Sequence, residues 1–467
     1  MTTPKLEIGA RLARKRFALK ERVGLTLSLV NRESGMVYVP DPIHSTALHL
    51  VLRAPDGSEQ VVTPGSVVEP GTVPQVVNAG LPPGRSWVQE IDASAYLQLD
   101  RPGTYALTLE YEWAEDGRWK SEPLPLTLAP PAGTALVAVP PEAAGLERPR
   151  VLWVEREGER GRLLLWSGAE PELKGAVQVA EAGPEAVPAL SVTEPGKSWT
   201  ETWAAWAHAG ALYRTYFGQG LFPDLAPERV QLEGVQPARV VEPLLAEFSP
   251  SARPRCTAGV LDGKTLHLVE LAPDGSAAAR GKVALNGSPQ AAWATHQAKQ
   301  GRLFAFAFQR GETIAVAAVR APYGGAPAAP EQWLEAAGKF LGGDVRASRD
   351  GAQTFLGILV ARHQAWARLT FRAPEPGKQA EPSLAAVDLG ADAQVRRVRL
   401  DAQGQMHLLV THAGKLQYVP PGSATPTWSD ERLARHARFA DLALRPGVQP
   451  ELVVYDDERG PAVLPLR

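Results

Sequence analysis

Three stretches near the C-terminus repeat one another: Val345-Arg-Ala-Ser-Arg-Asp-Gly-Ala-Gln-Thr-Phe355, Arg396-Arg-Val-Arg-Leu-Asp-Ala-Gln-Gly-Gln-Met406 and Ala440-Asp-Leu-Ala-Leu-Arg-Pro-Gly-Val-Gln-Pro450. Each holds a short alternating strand, a polar turn and a Gln that opens an apolar strand. Gln353, Gln405 and Gln449 lie 52 and then 44 residues apart. Alternation means strands, and polar turn residues between apolar runs mean hairpins. A β-rich period of about 48 residues is the length of one four-stranded sheet in a β-propeller, and few other repeats share it.

The rest of the chain is consistent with this. At 467 residues it exceeds one ordinary core. Its 43 Gly and 42 Pro are spread along the sequence, as many tight turns between short strands require. The net charge is −2, with no basic face to favour nucleic acid or an anionic membrane. The one basic run, Arg11 to Arg16, reads as a solvated edge strand and turn. A single cysteine, Cys256, excludes an intramolecular disulfide and any cysteine-based metal cluster, and reads as a small buried apolar residue. No apolar run approaches the ~18 residues of a membrane span, and the N-terminus has no signal-peptide core, so a cytoplasmic protein is expected.

Residues 1–131 alternate in the manner of a β-sandwich. Val23 to Asn31 and Thr46 to Arg53 are clear strands. The strongest signature is Leu99-Asp-Arg-Pro-Gly-Thr-Tyr-Ala-Leu107, in which Pro102-Gly103 turns the chain and Tyr105, Leu107, Leu109 and Tyr111 share one face. The strand Pro123 to Leu128 carries prolines that suit an edge. The segment resembles bacterial immunoglobulin-like domains, where a Leu-x-x-Pro-Gly-x-Tyr-x-Leu pattern precedes the penultimate strand. That resemblance implies a sandwich and leaves function open. Ala129 to Gly133 is the expected linker.

From Thr134 to Arg467 seven hairpin centres recur, so the expected fold is all-β, with the sandwich over 1–131 and a propeller over 134–467. Seven blades is the expected count, with six or eight as alternatives. Thr134 to Val139 is either a missing outer strand of the last blade or the inner strand of the first. Helix signals place one helix at Pro330 to Phe340 and a short turn from Asp430 to His436 capped by Ser429.

The chemistry is sparser. Ser348-Arg-Asp-Gly-Ala-Gln-Thr-Phe355 is similar to the Asp-box hairpin of sialidase-like propellers, with Gly351 one position early. In that family the box shapes a turn. The Tyr-Glu pair of a sialidase site cannot be picked out. No His-x-x-x-His, phosphate loop or Gly-x-Ser-x-Gly elbow is present. His208, His296, His363 and His412 fall at separate turns, so no catalytic residue, metal ligand or cofactor is assigned. Aligning the three repeats by distance to the turn puts Arg346, Arg397 and Asp441 in one register, with Ser348, Arg399 and Ala443 on the same side two residues on. Two arginines and an aspartate near a propeller axis are a candidate site for an anionic group, unless they pair with one another.

The expected function is a non-enzymatic interaction protein with a protein or glycan partner, using Trp119, Trp199, Trp333 and Trp428 as candidate anchors. The alternative is a propeller hydrolase or lyase acting on an anionic sugar or lactone at the channel mouth.

Overall fold

The computed structural model describes residues 5–66, 78–113, 117–139, 149–167, 175–193, 202–217, 225–247, 255–297, 301–323, 325–362, 365–389, 392–445 and 447–466. Trp199 and His363 lie outside them. The chain is almost entirely β and divides into two compact units, one of residues 1–131 and 170–176, the other of 132–169 and 177–467. No described helix is long and apolar enough to cross a membrane.

In the first unit a three-stranded sheet (Leu6–Leu12, Gly24–Asn31, Ser86–Asp92) and a larger sheet built on Gly103–Trp113 share one core. Alternation explains the sharing. Leu25, Leu27 and Leu29 point inward from the small sheet to meet Leu48, Leu50, Leu107 and Leu109 from the large one, all essentially inaccessible. Gly103 has φ +151° at the turn, where a Cβ would meet the Pro55 ring. The strand Leu124–Ala129 is an edge only in its first half. Thr127 to Ala129 pair in parallel with Arg16–Ala18, while Pro125 sits where no such partner needs its missing N–H.

The second unit runs as successive antiparallel sheets, of which the second, third and fourth are joined at their first strands by short parallel pairs, Ser191–Thr193 with Leu244–Ala246 and Glu242 with Trp293. The first six have four strands each, beginning at Gly133, Val187, Arg239, Ala291, Lys339 and Gln394; the last, from Ala437, has three among the described residues. The seven hairpins expected from sequence are the second and third strands of these sheets. The first strand of each sheet touches the first strand of the next, and the series returns from Ala437–Ala443 to Gly133–Val139. The unit is therefore a closed, propeller-like ring with the first strands innermost. Cores fill the spaces between consecutive sheets. Leu303, Val316, Trp333, Leu356 and Ile358 share one, Leu359, Val398 and Leu408 the next.

Gln353 and Gln405 end the connection from first to second strand in the fifth and sixth sheets, and Gln449 lies one residue before its end in the seventh. Gly133–Val139 is the inner strand of the first sheet, so the ring does not close by adding that segment outside the last one. The helix expected at Pro330 to Phe340 is instead the strand Glu331–Ala337, paired with Thr313–Ala321 through a bulge. Burial of Trp333 and Leu334 against the neighbouring sheet overrides the helix propensity of Gln, Leu, Glu and Ala. The short helix Glu431–His436 does form, but its cap is Asp430, whose carboxylate accepts from Leu433 N, rather than Ser429.

Candidate functional site: charges on the inner strands

The charged residues singled out by the repeats lie on inner strands, Arg346 on Lys339–Ala347, Arg397 on Gln394–Leu400 and Asp441 on Ala437–Ala443. Their strand register differs from the alignment. Asp344 pairs with Gly357, Arg397 with Leu409 and Asp441 with Val453, each four residues past its Gln. Arg346 pairs with Phe355 and so matches Arg399, opposite His407. Distance to the turn misleads because the connections differ in length, spanning 348–353, 401–405 and 444–450.

Arg397 and Asp441 do meet, at 3.1 Å. Arg399 grips the same carboxylate with two nitrogens, Nε at 2.7 Å and Nη2 at 2.5 Å. Leu442 N also donates to Asp441, at 2.7 Å. Burial works to raise the Asp441 pKa, but Arg397 and Arg399 outweigh it and hold the carboxyl below the usual range. Asp344, absent from the aligned set, accepts from Leu400 N at 2.8 Å and lies 3.6 Å from Arg399. There burial wins and the carboxyl is pushed up, although Arg399, Arg397 and Arg346 all oppose the shift. Glu242, on the third sheet, reaches Arg397 at 3.7 Å. The third and sixth sheets are not neighbours, so this pair crosses the central space.

Three carboxylates thus face three guanidiniums, and the group as a whole is close to neutral. Chemically it can lock inner strands of four sheets together, because breaking the Arg399 pairs with Asp441 or Asp344 strands a buried carboxylate. General acid–base work needs a group whose proton can reach a substrate, and these carboxylates are directed at arginines and backbone amides.

The turn readings translate into geometry. Ser348 Oγ donates to Asp350 at 2.6 Å and accepts from Gln353 N at 2.9 Å, while Ala352 N donates to Asp350. Asp401 accepts from Gln403 N and Gln405 N in the next repeat. His296 is buried, its Nδ1 3.1 Å from Tyr323 Oη, and burial pushes it down to about 4. Cys256 is buried in an apolar cluster. Trp333 is completely buried, not an exposed anchor, while Trp119 and Trp428 are half-buried against cores. No group of three or more potential metal ligands occurs among the described residues.

Sequence reasoning missed a set of arginines between sheets. Arg214 Nη1 donates to Ala272 O at 2.8 Å and Nη2 to Gly275 O. Arg320 donates to Pro374 O at 2.5 Å and Arg368 to Pro420 O at 3.0 Å. In each case an arginine of a third strand reaches the turn after the third strand of the next sheet. The available signal was an arginine inside an apolar run, as in Leu212-Tyr-Arg-Thr-Tyr216 and Trp366-Ala-Arg-Leu-Thr370.

No protein-family model matches the chain, and no curated protein matches it. Among solved structures, a protein from Lactobacillus plantarum is 13% identical, with 82% of this chain and 96% of that one covered and a TM-score of 0.40. The WD40 domain of Toxoplasma gondii coronin is 12% identical over 72% of this chain and 88% of its own, TM-score 0.41. Puromycin hydrolase is 14% identical over 72% of this chain but only 55% of its own, TM-score 0.40. Likenesses this distant say nothing about activity, and the propeller-like description stands on the sheet order and the closed series of inner strands.

Proposed function

We propose that this chain is a non-enzymatic binding protein, an immunoglobulin-like sandwich followed by a seven-bladed β-propeller, whose partner is another protein or a glycan. Support for the sandwich type comes from Tyr105, whose hydroxyl donates to Arg101 O four residues upstream at 2.9 Å, the arrangement of a tyrosine corner. Support for seven blades comes from the closed series of inner strands. The observation that carries the functional reading is that Asp441 is engaged by both Arg397 and Arg399, which leaves the axial cluster as a brace between blades. The test is cross-linking and affinity isolation from the native source, with turnover assays on ester, lactone and glycoside panels. A stoichiometric partner without turnover is expected; turnover lost on Arg397→Ala would overturn the reading.

A second reading, an anionic sugar or lactone bound by Arg346, Arg397 and Asp441, has one observation in its favour. Asp344 holds its proton more tightly than an ordinary aspartate, and its neutral form would leave the cluster net positive. Binding of galacturonate or gluconolactone that survives Arg346→Ala with Arg397→Ala would end this alternative.

A further inference from the structure

Between the first two sheets of the ring lies a hollow of roughly 470 Å3, within the usual size range of small-molecule sites. Its lining combines the hairpin turn at 156–160, the crossing at 181–185, and strand ends carrying Trp206, His208 and Tyr213. Trp206 is buried and stacks on Tyr213, with centroids 5.7 Å apart and planes 11° from parallel. The indole therefore fixes the phenol from behind. Beside it, the His208 ring sits against Gly183, where a Cβ would run into the imidazole. Glu185 Oε1 lies 2.8 Å from His208 Nδ1, without hydrogen-bond alignment. Nε2 has no partner among the described residues, and neither has the Tyr213 hydroxyl. Glu159, Arg160 and Glu181 complete the rim and are likewise without ion-pair partners among the described residues.

The charge pattern narrows what could bind. A carboxylate or phosphate ligand would face Glu159, Glu181 and Glu185, and an ammonium ligand would face Arg156 and Arg160. A neutral polyol suits both signs, since its hydroxyls donate to carboxylates and accept from guanidiniums. The phenol and imidazole offer flat apolar surface to the C–H face of such a ring. We infer that this hollow is a binding site for a neutral sugar, held over Tyr213 and His208 with its hydroxyls on Glu181 and Arg160.

The inference deepens the binding reading above by naming a ligand class and a site remote from the axial cluster. Ligand-observed saturation-transfer NMR on the full chain, with glucose, galactose, mannose and N-acetylglucosamine at millimolar concentration, tests it. N-acetylneuraminic acid and choline serve as charged controls. At least one neutral sugar is expected to receive saturation and the controls none. Tyr213→Ala and Glu181→Ala should each weaken binding about tenfold or more, with the far-UV spectrum unchanged. Tyr213→Phe, which keeps the ring, separates the face contact from the hydroxyl and should weaken it less. Absence of saturation by every neutral sugar, preference for a charged control, or binding indifferent to both Ala variants would each overturn the site. New product signals in the same spectra would sink the non-enzymatic reading instead, and leave the site standing.

Discussion

Two kinds of seam hold the ring together, and they are built differently. The seam between the sixth and seventh sheets adds an ionic clasp to an apolar core, with Arg399 and Arg397 closing on Asp441. The seam between the seventh and first sheets joins residues some three hundred positions apart and is made by a phenol. Tyr455 Oη donates to Glu155 at 2.6 Å and accepts from Gly133 N at 2.8 Å. Glu155 also accepts from Ala132 N and Trp153 Nε1, and Arg438 donates to Gly133 O across the same seam. The contrast follows from chain connectivity. Consecutive sheets are tethered by the chain and the sixth and seventh share an apolar core, whereas the closing seam has no covalent tether and gathers several buried hydrogen bonds on one point.

The comparison breaks first at Asp441. Asp441→Ala removes the nearest carboxylate from two guanidiniums, leaving them only the longer contacts to Asp344 and Glu242, and should cost about 3–5 kcal/mol, read as a shift in the midpoint of the ring's urea transition. A cost below about 1 kcal/mol would mean solvent reaches this seam. Arg214→Met, between the second and third sheets, removes the donors to Ala272 O and Gly275 O and leaves Glu228 unpaired, for an expected loss of about 2–3 kcal/mol. Arg368→Met, with one such bond, should lose less, and equal losses would show that packing rather than hydrogen bonding sets the staple.

Tyr455→Phe should cost about 1–2 kcal/mol by orphaning Gly133 N and one bond to Glu155. Its hydrogen-exchange signature is local, with faster exchange expected in 133–139 and 451–456 and little change in 394–400. Spread of the effect around the ring would show that the closing seam is no weaker a point than the others.

The smallest effect separates the seams by pH. The Asp441 pKa lies below 3.8, so its contribution is present above that value and is lost as pH falls through the lowered pKa. Burial pushes Glu155 above 4.5, so its contribution is fully present below 4.5 and declines as pH rises through the raised pKa. Exchange protection, corrected for intrinsic rates, should therefore fall on acidification at 437–443 and rise at 133–139. Parallel trends would contradict the assignment.

Local patterns were legible where local chemistry decides them. Alternation at Gly24–Asn31 yields a strand with three buried leucines, and Ser348, Asp350 and Asp401 build the turns their spacing implies. The three glutamines mark equivalent connections because each turn must hand the chain from an inner strand to its neighbour. The charged cluster was half legible. Arg397 and Asp441 stand out from the repeats, but Asp344 was hidden by a longer turn and Glu242 belongs to a sheet in which no repeat was visible. Residues Glu331–Ala337 misled because their helix propensity is real and only the adjacent sheet cancels it.

By itself, then, the sequence determined the strands, their turns and the recurrence of a β unit, all of which depend on side-chain alternation and hydrogen bonds within a few residues. Only the tertiary structure decided which arginine meets which carboxylate, that Trp333 is core, and that Tyr455 closes on Glu155. Those outcomes depend on distances set by the closing of the ring, and no spacing along the chain encodes them.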